Sequence, residues 1–189
     1  MASELIVQTL KGPTSGDNAN KVIIPSGQTL DASAGGLTTP AGHVIQVVST
    51  SSATYQEISS TTLTDTALTV TITPSSTSSK IFVTTNVIAT LIRAANDRIG
   101  GKVKVLRDST TIVDADTFQR IGAGTDSTGE NFLTIPGALT YLDSPSTTSA
   151  VTYKVQLAAS KTTNSGRIRL NSLTSPTNPS NITVMEIAG

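Results

Sequence analysis

Apolar and polar residues alternate along most of the chain after residue 65. In Thr66–Thr73, one leucine, one valine and one isoleucine share a face and threonines occupy the other. The same period of two runs through Gly101–Asp108 and Val151–Leu157. A period of two indicates strands with one buried and one wet face, as in antiparallel sheets. No amphipathic helix stands out in this part, and we therefore predict an all-β domain.

Two segments, Lys80–Leu91 and Phe132–Leu142, are more nearly apolar on both faces. They are candidates for central strands or for a subunit interface. Clusters of Gly, Pro, Ser, Asn and Asp divide the remainder into about eight to ten strands, a spacing typical of a sandwich or a barrel. The last predicted strand, Ile182–Ile187, would close a sheet near the end of the chain.

The segment Lys21–Val48 has a different character. Its apolar pieces are short and are separated by turn signals that contain Pro and Gly. One copy would leave Ile23, Leu30 and Leu37 largely in water, and each would forgo roughly 1.5–3 kcal/mol of burial. We therefore expect these three residues to form an intertwined stalk shared by identical subunits.

Residues 1–20 contain one short predicted strand, followed by the turn-rich GPTSGDNAN. The strand is either an edge strand of the domain or an arm that pairs with another chain. The joint that separates it from the domain favours an arm, since free strand edges invite pairing. Its attachment residues would be Leu5, Ile6, Val7 and Leu10.

The composition narrows the range of partners. The chain of 189 residues has 13 basic and 13 acidic side chains and no net charge. No global field would attract nucleic acid or an anionic membrane. The 23 serines and 33 threonines take the place of the usual charged surface. With 37% hydrophobic residues and recurrent alternation, disorder is not indicated.

The same composition removes several chemistries. No cysteine is present, which excludes disulfides and thiol chemistry. The chain has no run of about 20 apolar residues, which a membrane-spanning helix would need. Its start has no basic segment, and its apolar run is too short for a signal peptide. We expect a protein made in a cytoplasm.

The candidates for catalysis are few. The single histidine, His43, has no acid nearby in sequence. Asp114 and Asp116 would share a strand face and with Asp108 could bind a hard cation, but the glycine-containing oxygen-rich loop of calcium sites is missing. Paired acids would suit a glycosidase, and the candidates are Asp114, Asp116, Glu130 and Asp143, yet no pair is singled out. We predict no catalytic, cofactor or metal site and no enzymatic activity.

The remaining possibility is that exposed residues recognise a partner. The segment LIRAANDRIGG holds the densest group of charges, which would form either salt bridges or a polar pad for a carbohydrate or a protein. Loop tips carry function because they vary on a rigid scaffold. The candidate surface-recognition residues are Arg93, Asn96, Asp97, Arg98, Asp126, Asn164 and Asn178.

The run SGQTLDASAGGLTTP resembles a motif of marine bacteriophage virion proteins, and its surroundings resemble the stalks of bacteriophage fibres. From about residue 43 onward, the strands YKVQLAAS, RIRLNS and ITVMEI resemble the ten-strand jelly roll of the C1q and tumour-necrosis-factor-like class, whose members are trimers. The aromatic residues that many of those heads use are scarce here, at 3%. In such a trimer, Arg167 and Arg169 could pair with acids across the three-fold axis.

These resemblances imply a homotrimeric virion protein, synthesised in the host cytoplasm. Its parts would be an attachment arm (1–20), an intertwined β stalk (21–42) and a jelly-roll head (43–189). The arm would bind other virion proteins, and the head would project as a short fibre or knob that contacts the host surface, with a surface glycan as a candidate partner. The alternatives are a capsid decoration protein and, from another class, a polysaccharide-cleaving enzyme.

Overall fold

The structure is a computed structural model that describes residues 11–17, 19, 21–29, 40–94, 99–121, 130–171 and 179–189. The chain divides into two compact units, residues 1–38 and residues 39–189. The predicted attachment residues in 1–10 and the predicted stalk residues Leu30 and Leu37 lie outside the described residues.

The larger unit is built from ten described strands and one short 3-10 turn, Thr163–Ser165. The strands are β1 (Val44–Ser52), β2 (Gln56–Ile58), β3 (Thr64–Ile72), β4 (Lys80–Ala94), β5 (Ile99–Arg107), β6 (Thr110–Ile121), β7 (Glu130–Asp143), β8 (Val151–Ala159), β9 (Arg167–Leu170) and β10 (Ser180–Ile187).

The strands form two antiparallel sheets that pack face to face. Sheet A has the order β1-β10-β4-β9-β2, with β7 paired to the other edge of β4. Sheet B has the order β3-β8-β5-β6. Each sheet therefore combines strands that are distant in sequence, as in a jelly-roll sandwich. The all-β, jelly-roll prediction is confirmed.

The core lies between the sheets and follows the predicted alternation. Leu68, Val70 and Ile72 of β3 are buried, and so are Val103 and Val105 of β5. In β8 and β10 every second side chain is likewise buried. The period of two thus identified the inward face, because a one-residue shift in a strand would turn its apolar residues toward water.

The two apolar segments differ in their position. Strand β4 is central, since it pairs with β7 along one edge and with β10 and then β9 along the other. Strand β7 pairs only with β4 among the described strands, so it lies at an edge of sheet A. Its Tyr141 and Leu142 are 41% and 55% exposed. Of the two alternatives, the first segment is a central strand, whereas the second is an edge strand and stays a candidate for a subunit interface.

The smaller unit shows the predicted turn chemistry. Gln28 N donates to Pro25 O at 3.0 Å, and Gly27 has a φ of 83°. A positive φ at the third position of a Pro-containing turn is the type II geometry, which favours Gly. Ile23 beside this turn is 54% exposed in the single chain. Its burial by neighbouring copies stays a prediction.

Strand β4 pairs first with β10 and then with β9. The buried residues Asn171 and Ser180 lie where this pairing changes, and we call them the polar hub. Asn171 N donates to Ile88 O at 2.8 Å, and Ile88 N donates to Ser180 Oγ at 2.9 Å. Asn171 Oδ1 accepts from Ser180 Oγ at 2.7 Å, and its Nδ2 donates to Ser52 O and Thr54 O, both at 2.8 Å. The hub therefore supplies hydrogen bonds for β4 backbone groups where neither β10 nor β9 pairs with them.

A second buried polar group fixes the loop between β3 and β4. Glu186 of β10 has no exposed surface, and its Oε1 accepts from Ser75 N, Ser75 Oγ and Ser79 Oγ at 2.6–2.7 Å. Its Oε2 accepts from Gln46 Nε2 at 2.6 Å. Burial alone would raise the pKa of this carboxyl, but the hydrogen bonds from Ser75, Ser79 and Gln46 outweigh it and lower the pKa.

We expect Asn171→Ala to destabilise the head strongly. The substitution removes the side-chain bonds of the hub and places Ala at a φ of 59°. The loss in unfolding free energy should be about 3 kcal/mol or more. Asn164→Ala is the matched control, because Asn164 has a φ of 52° but is exposed; its loss should be about 1–2 kcal/mol. Denaturant unfolding measures both, and equal losses would contradict the role of the hub.

We expect Glu186→Gln to remove part of the acid sensitivity of the head. A carboxyl whose folded pKa is lowered stabilises the native state above its unfolded pKa, and that contribution is lost as the pH falls below the unfolded pKa and through the lowered folded pKa. The difference in unfolding free energy between the wild type and the variant should therefore be largest at pH 7 and shrink toward pH 3. A difference that stays constant over this range would contradict the prediction.

Candidate functional site

The predicted recognition residues are not found together. Arg93 lies in central strand β4 and is 2% exposed, so its assignment to an exposed recognition surface was wrong. The prediction rested on the charges that lie close together in the sequence. It did not foresee that β4 extends to Ala94, so that Arg93 lies buried within a strand. Asn164 is exposed in the loop before β9. Asn96, Asp97, Arg98, Asp126 and Asn178 lie outside the described residues.

A charged cluster that sequence reasoning missed lies where β2 pairs with β9. Arg169 Nε and Arg167 Nε donate to Glu57 Oε2 at 2.6 and 3.2 Å, and Tyr55 OH donates to the same oxygen at 3.1 Å. The guanidinium of Arg169 lies 5.7 Å from the ring centre of Tyr55. Both arginines thus pair with Glu57 within one chain, and pairing with acids across a three-fold axis stays a prediction.

Strand register brings this cluster together. In RIRL of β9, Arg167 and Arg169 alternate with the buried Ile168 and Leu170, so both arginines lie on one face. Register pairs Glu57 with Arg169. The hydrogen bond from Arg169, followed by the smaller effects of Tyr55 and Arg167, lowers the Glu57 pKa although burial opposes it. Glu57 is therefore a carboxylate that only accepts hydrogen bonds.

A polar cleft of about 360 Å³ opens beside the charged cluster, and we call it the Glu57 cleft. Its lining residues are Glu57, Ser59, Thr162, Ser165, Gly166 and Arg167. They come from the end of β2, the start of β9 and the loop that precedes β9. The lining offers one carboxylate, one guanidinium and three hydroxyls.

The loop that forms one wall of the cleft is held at both ends. At its start, Gly100 N donates to Ser160 Oγ at 2.7 Å and Ser160 N donates to Gly100 O at 2.8 Å. At its end, a Cβ on Gly166 would lie within 2.4 Å of Lys161 O, so only Gly fits. Between them Asn164 and Ser165 both have positive φ. The wall is therefore fixed before any ligand binds.

A second surface is the outer face of sheet A, which points away from sheet B. Register aligns one side chain from each of four strands into a row that we call the apolar row. Its members are Val47, Met185, Phe82 and Leu142. Val47 and Leu142 at its ends are both 55% exposed. The row thus has an exposed apolar side chain at each end and half-buried ones between them, and apolar patches on a solvent face can mark interaction sites.

The next two rows of the same face carry no charge. The first consists of Ser49, Thr183, Thr84 and Thr140, and the second consists of Ser51, Asn181, Asn86 and Ala138. The Oγ of Ser49 and the Oγ1 of Thr183 lie 2.8 Å apart. The outer face of sheet A therefore combines an apolar row with neutral hydroxyl and amide groups across twelve neighbouring positions.

The acids considered for catalysis have other partners. Asp143 is 5% exposed, and both of its oxygens accept from Arg107 Nη1, at 2.8 and 2.7 Å. Tyr153 OH donates to Asp143 Oδ2 at 2.7 Å. Burial, and then the bond to Asp143, raises the Tyr153 pKa and keeps its hydroxyl protonated. This network ties β7 of sheet A to β5 and β8 of sheet B.

Of the remaining candidates for metal or acid–base chemistry, the side chains of Asp116 and Glu130 lie outside those that the structure describes. Asp114 pairs with Lys104 at 2.6 Å, and Asp108 Oδ1 accepts from Thr152 N at 2.9 Å. His43 is exposed in a turn after Pro40. Among the residues that the structure describes, no three His, Asp or Glu side chains form a metal-binding group. In the same part of the chain, no helix has the length and apolar character to span a membrane.

Comparison with known proteins gives only distant likenesses. No family model and no curated protein matches the sequence. The chain is similar to the structure of infectious bursal disease virus Gt strain, with 14% identity, 94% of this chain and 46% of that chain covered, and a TM-score of 0.32. The crystal structure of the VP2 subviral particle of that virus is 12% identical, with 94% of this chain and 45% of that chain covered and a TM-score of 0.28. The structure of its Gx strain is 11% identical, with 90% of this chain and 44% of that chain covered and a TM-score of 0.36.

This chain spans about half the length of the solved structures it matches. At TM-scores of this size the likeness assigns neither a family nor a function. The fold therefore rests on the strand order and register described above, and the function rests on the surfaces.

Proposed function

We propose that the protein is a non-catalytic virion structural protein of a bacteriophage, which assembles as a homotrimer and projects from the particle to contact the host surface. The observation that carries the proposal is the apolar row together with the two uncharged rows beside it on the outer face of sheet A. The bacteriophage assignment is supported by the resemblance of SGQTLDASAGGLTTP to marine-phage virion sequences.

The outer face of sheet A suits contact between identical copies. Copies of a charged face would bring like charges together around a symmetry axis, and this costs free energy. The three rows avoid that cost because none of their twelve side chains is charged. The apolar row supplies the favourable term, since full burial of a side chain such as Leu142 contributes about 1.5–3 kcal/mol.

The N-terminal segments complete the proposal. Val22, Ile23 and Ile24 are 43–54% exposed in the single chain, and their burial in an intertwined stalk of residues 21–42 would remove three apolar side chains per copy from water. Residues 1–20 are the proposed arm that binds other virion proteins. The head, residues 43–189, then stands away from the particle, where its loops face the host.

We expect Leu142→Lys to weaken the trimer. The side chain is 55% exposed in the single chain, so the substitution should leave the fold of each head intact while placing three like charges in the proposed interface. The trimer dissociation constant, measured by light scattering over a concentration series, should rise at least tenfold.

Ala67→Lys is the matched control, because Ala67 is an exposed strand residue of sheet B. It should leave the dissociation constant unchanged. If Leu142→Lys also leaves it unchanged, or if the wild type is a monomer at micromolar concentration, the proposed interface is contradicted.

The position of the protein on intact particles tests the proposed function. Gold-labelled antibody against the head should mark projections at the tail, with pre-immune serum as the control. Labelling distributed over the shell would instead identify a capsid decoration protein. Purified particles that contain none of this protein would contradict any structural role in the virion.

A further inference from the structure

The Glu57 cleft has the size of a site for one sugar ring. Small-molecule sites have volumes of about 300–1,000 Å³, and this cleft lies near the lower limit at about 360 Å³. It belongs to the head alone, since every lining residue lies between 57 and 167.

The polar groups of the lining match hydroxyls better than any other ligand group. Glu57 accepts three hydrogen bonds, all of them at Oε2, and no described residue donates to Oε1. A sugar hydroxyl can donate to this oxygen and at the same time accept from a neighbouring donor. Ser59, Thr162 and Ser165 each offer a hydroxyl that both donates and accepts.

The two charged residues of the lining are paired. Arg169, beside the cleft, also pairs with Glu57 at 2.6 Å, and Glu57 and Arg167 form an ion pair at 3.2 Å. A ligand with a net charge would have to compete with one member of this pair for the other. A neutral hydroxyl-rich ligand uses both members as hydrogen-bonding groups and leaves the pair intact.

The cleft is also organised before binding. Ser160 anchors one end of the wall to β5, and Gly166 closes the other end against Lys161. The three donors on Glu57 Oε2 fix the carboxylate in one orientation. Little conformational entropy is therefore lost when a ligand binds, whereas a flexible loop would first have to become ordered.

We propose that the Glu57 cleft binds a neutral saccharide through adjacent hydroxyls, one of which donates to Glu57 Oε1 and the other of which bonds to the hydroxyl-bearing wall. The proposal names the ligand class of the host-surface contact and rests on that proposed function. Such a polar contact is weak, with a dissociation constant on the order of 1 mM. Repetition over three copies in each trimer and over many trimers would supply avidity.

The test uses the full-length protein, first on an array of neutral, sialylated and sulfated glycans, and then in saturation-transfer NMR with the methyl glycosides of glucose, galactose and mannose. The wild type should bind neutral glycans and at least one of the three glycosides. Ser59→Trp should fill the cleft and weaken binding at least tenfold. Glu57→Gln should also weaken it, because an amide presents only one acceptor oxygen.

Ser109→Trp is the matched control, as Ser109 lies in the exposed turn between β5 and β6. It should bind as the wild type does, and circular dichroism should show all variants folded. Binding of acidic glycans only, binding of no glycan, or binding that Ser59→Trp leaves unchanged would each overturn the proposal. If the protein is found on the particle but binds no neutral glycan, the cleft assignment fails and the virion role stands; if it is absent from the particle, the virion role fails whatever the array shows.

Discussion

The sandwich depends on how the backbone of β4 is satisfied where its partner strand changes. A buried N–H or C=O without a partner costs about 1–3 kcal/mol, and β4 passes from β10 to β9 around Ile88. Asn171 and Ser180 provide the missing partners, and Asn171 also holds the end of β1 through Ser52. A short polar side chain at positive φ is needed there, and Asn is the residue that tolerates it best after Gly.

The two proposed surfaces follow from that division of β4. Its first half pairs with β10, and through β10 with β1, which makes a four-strand face with β7 and aligns the apolar row. Its second half pairs with β9, and through β9 with β2, which brings Glu57 to Arg169 and opens the cleft. Self-association and ligand binding would therefore use separate halves of one sheet, and a contact in one half leaves the other accessible.

Local pattern predicted the strands but not the site. β3, β5 and β8 were predicted with their inward faces, because alternation in one strand is enough to determine which face is buried. The pairing of Glu57 with Arg167 joins residues 110 positions apart, and only the register of β2 against β9 produces it. The alternation in RIRL showed that two arginines share a face, but not which acid they meet. Arg93 was misassigned for the same reason, since a run of charges in sequence does not report burial.

The central claim is that copies of this chain meet through the outer face of sheet A. The chain has no cysteine, so Thr183→Cys in the row next to the apolar row can carry a single nitroxide label, and Ala67→Cys on sheet B can carry the control label. Electron paramagnetic resonance should show a short distance between labels at position 183 of different copies and a longer one at position 67. No dipolar coupling at position 183, or a shorter distance at position 67, would contradict the account.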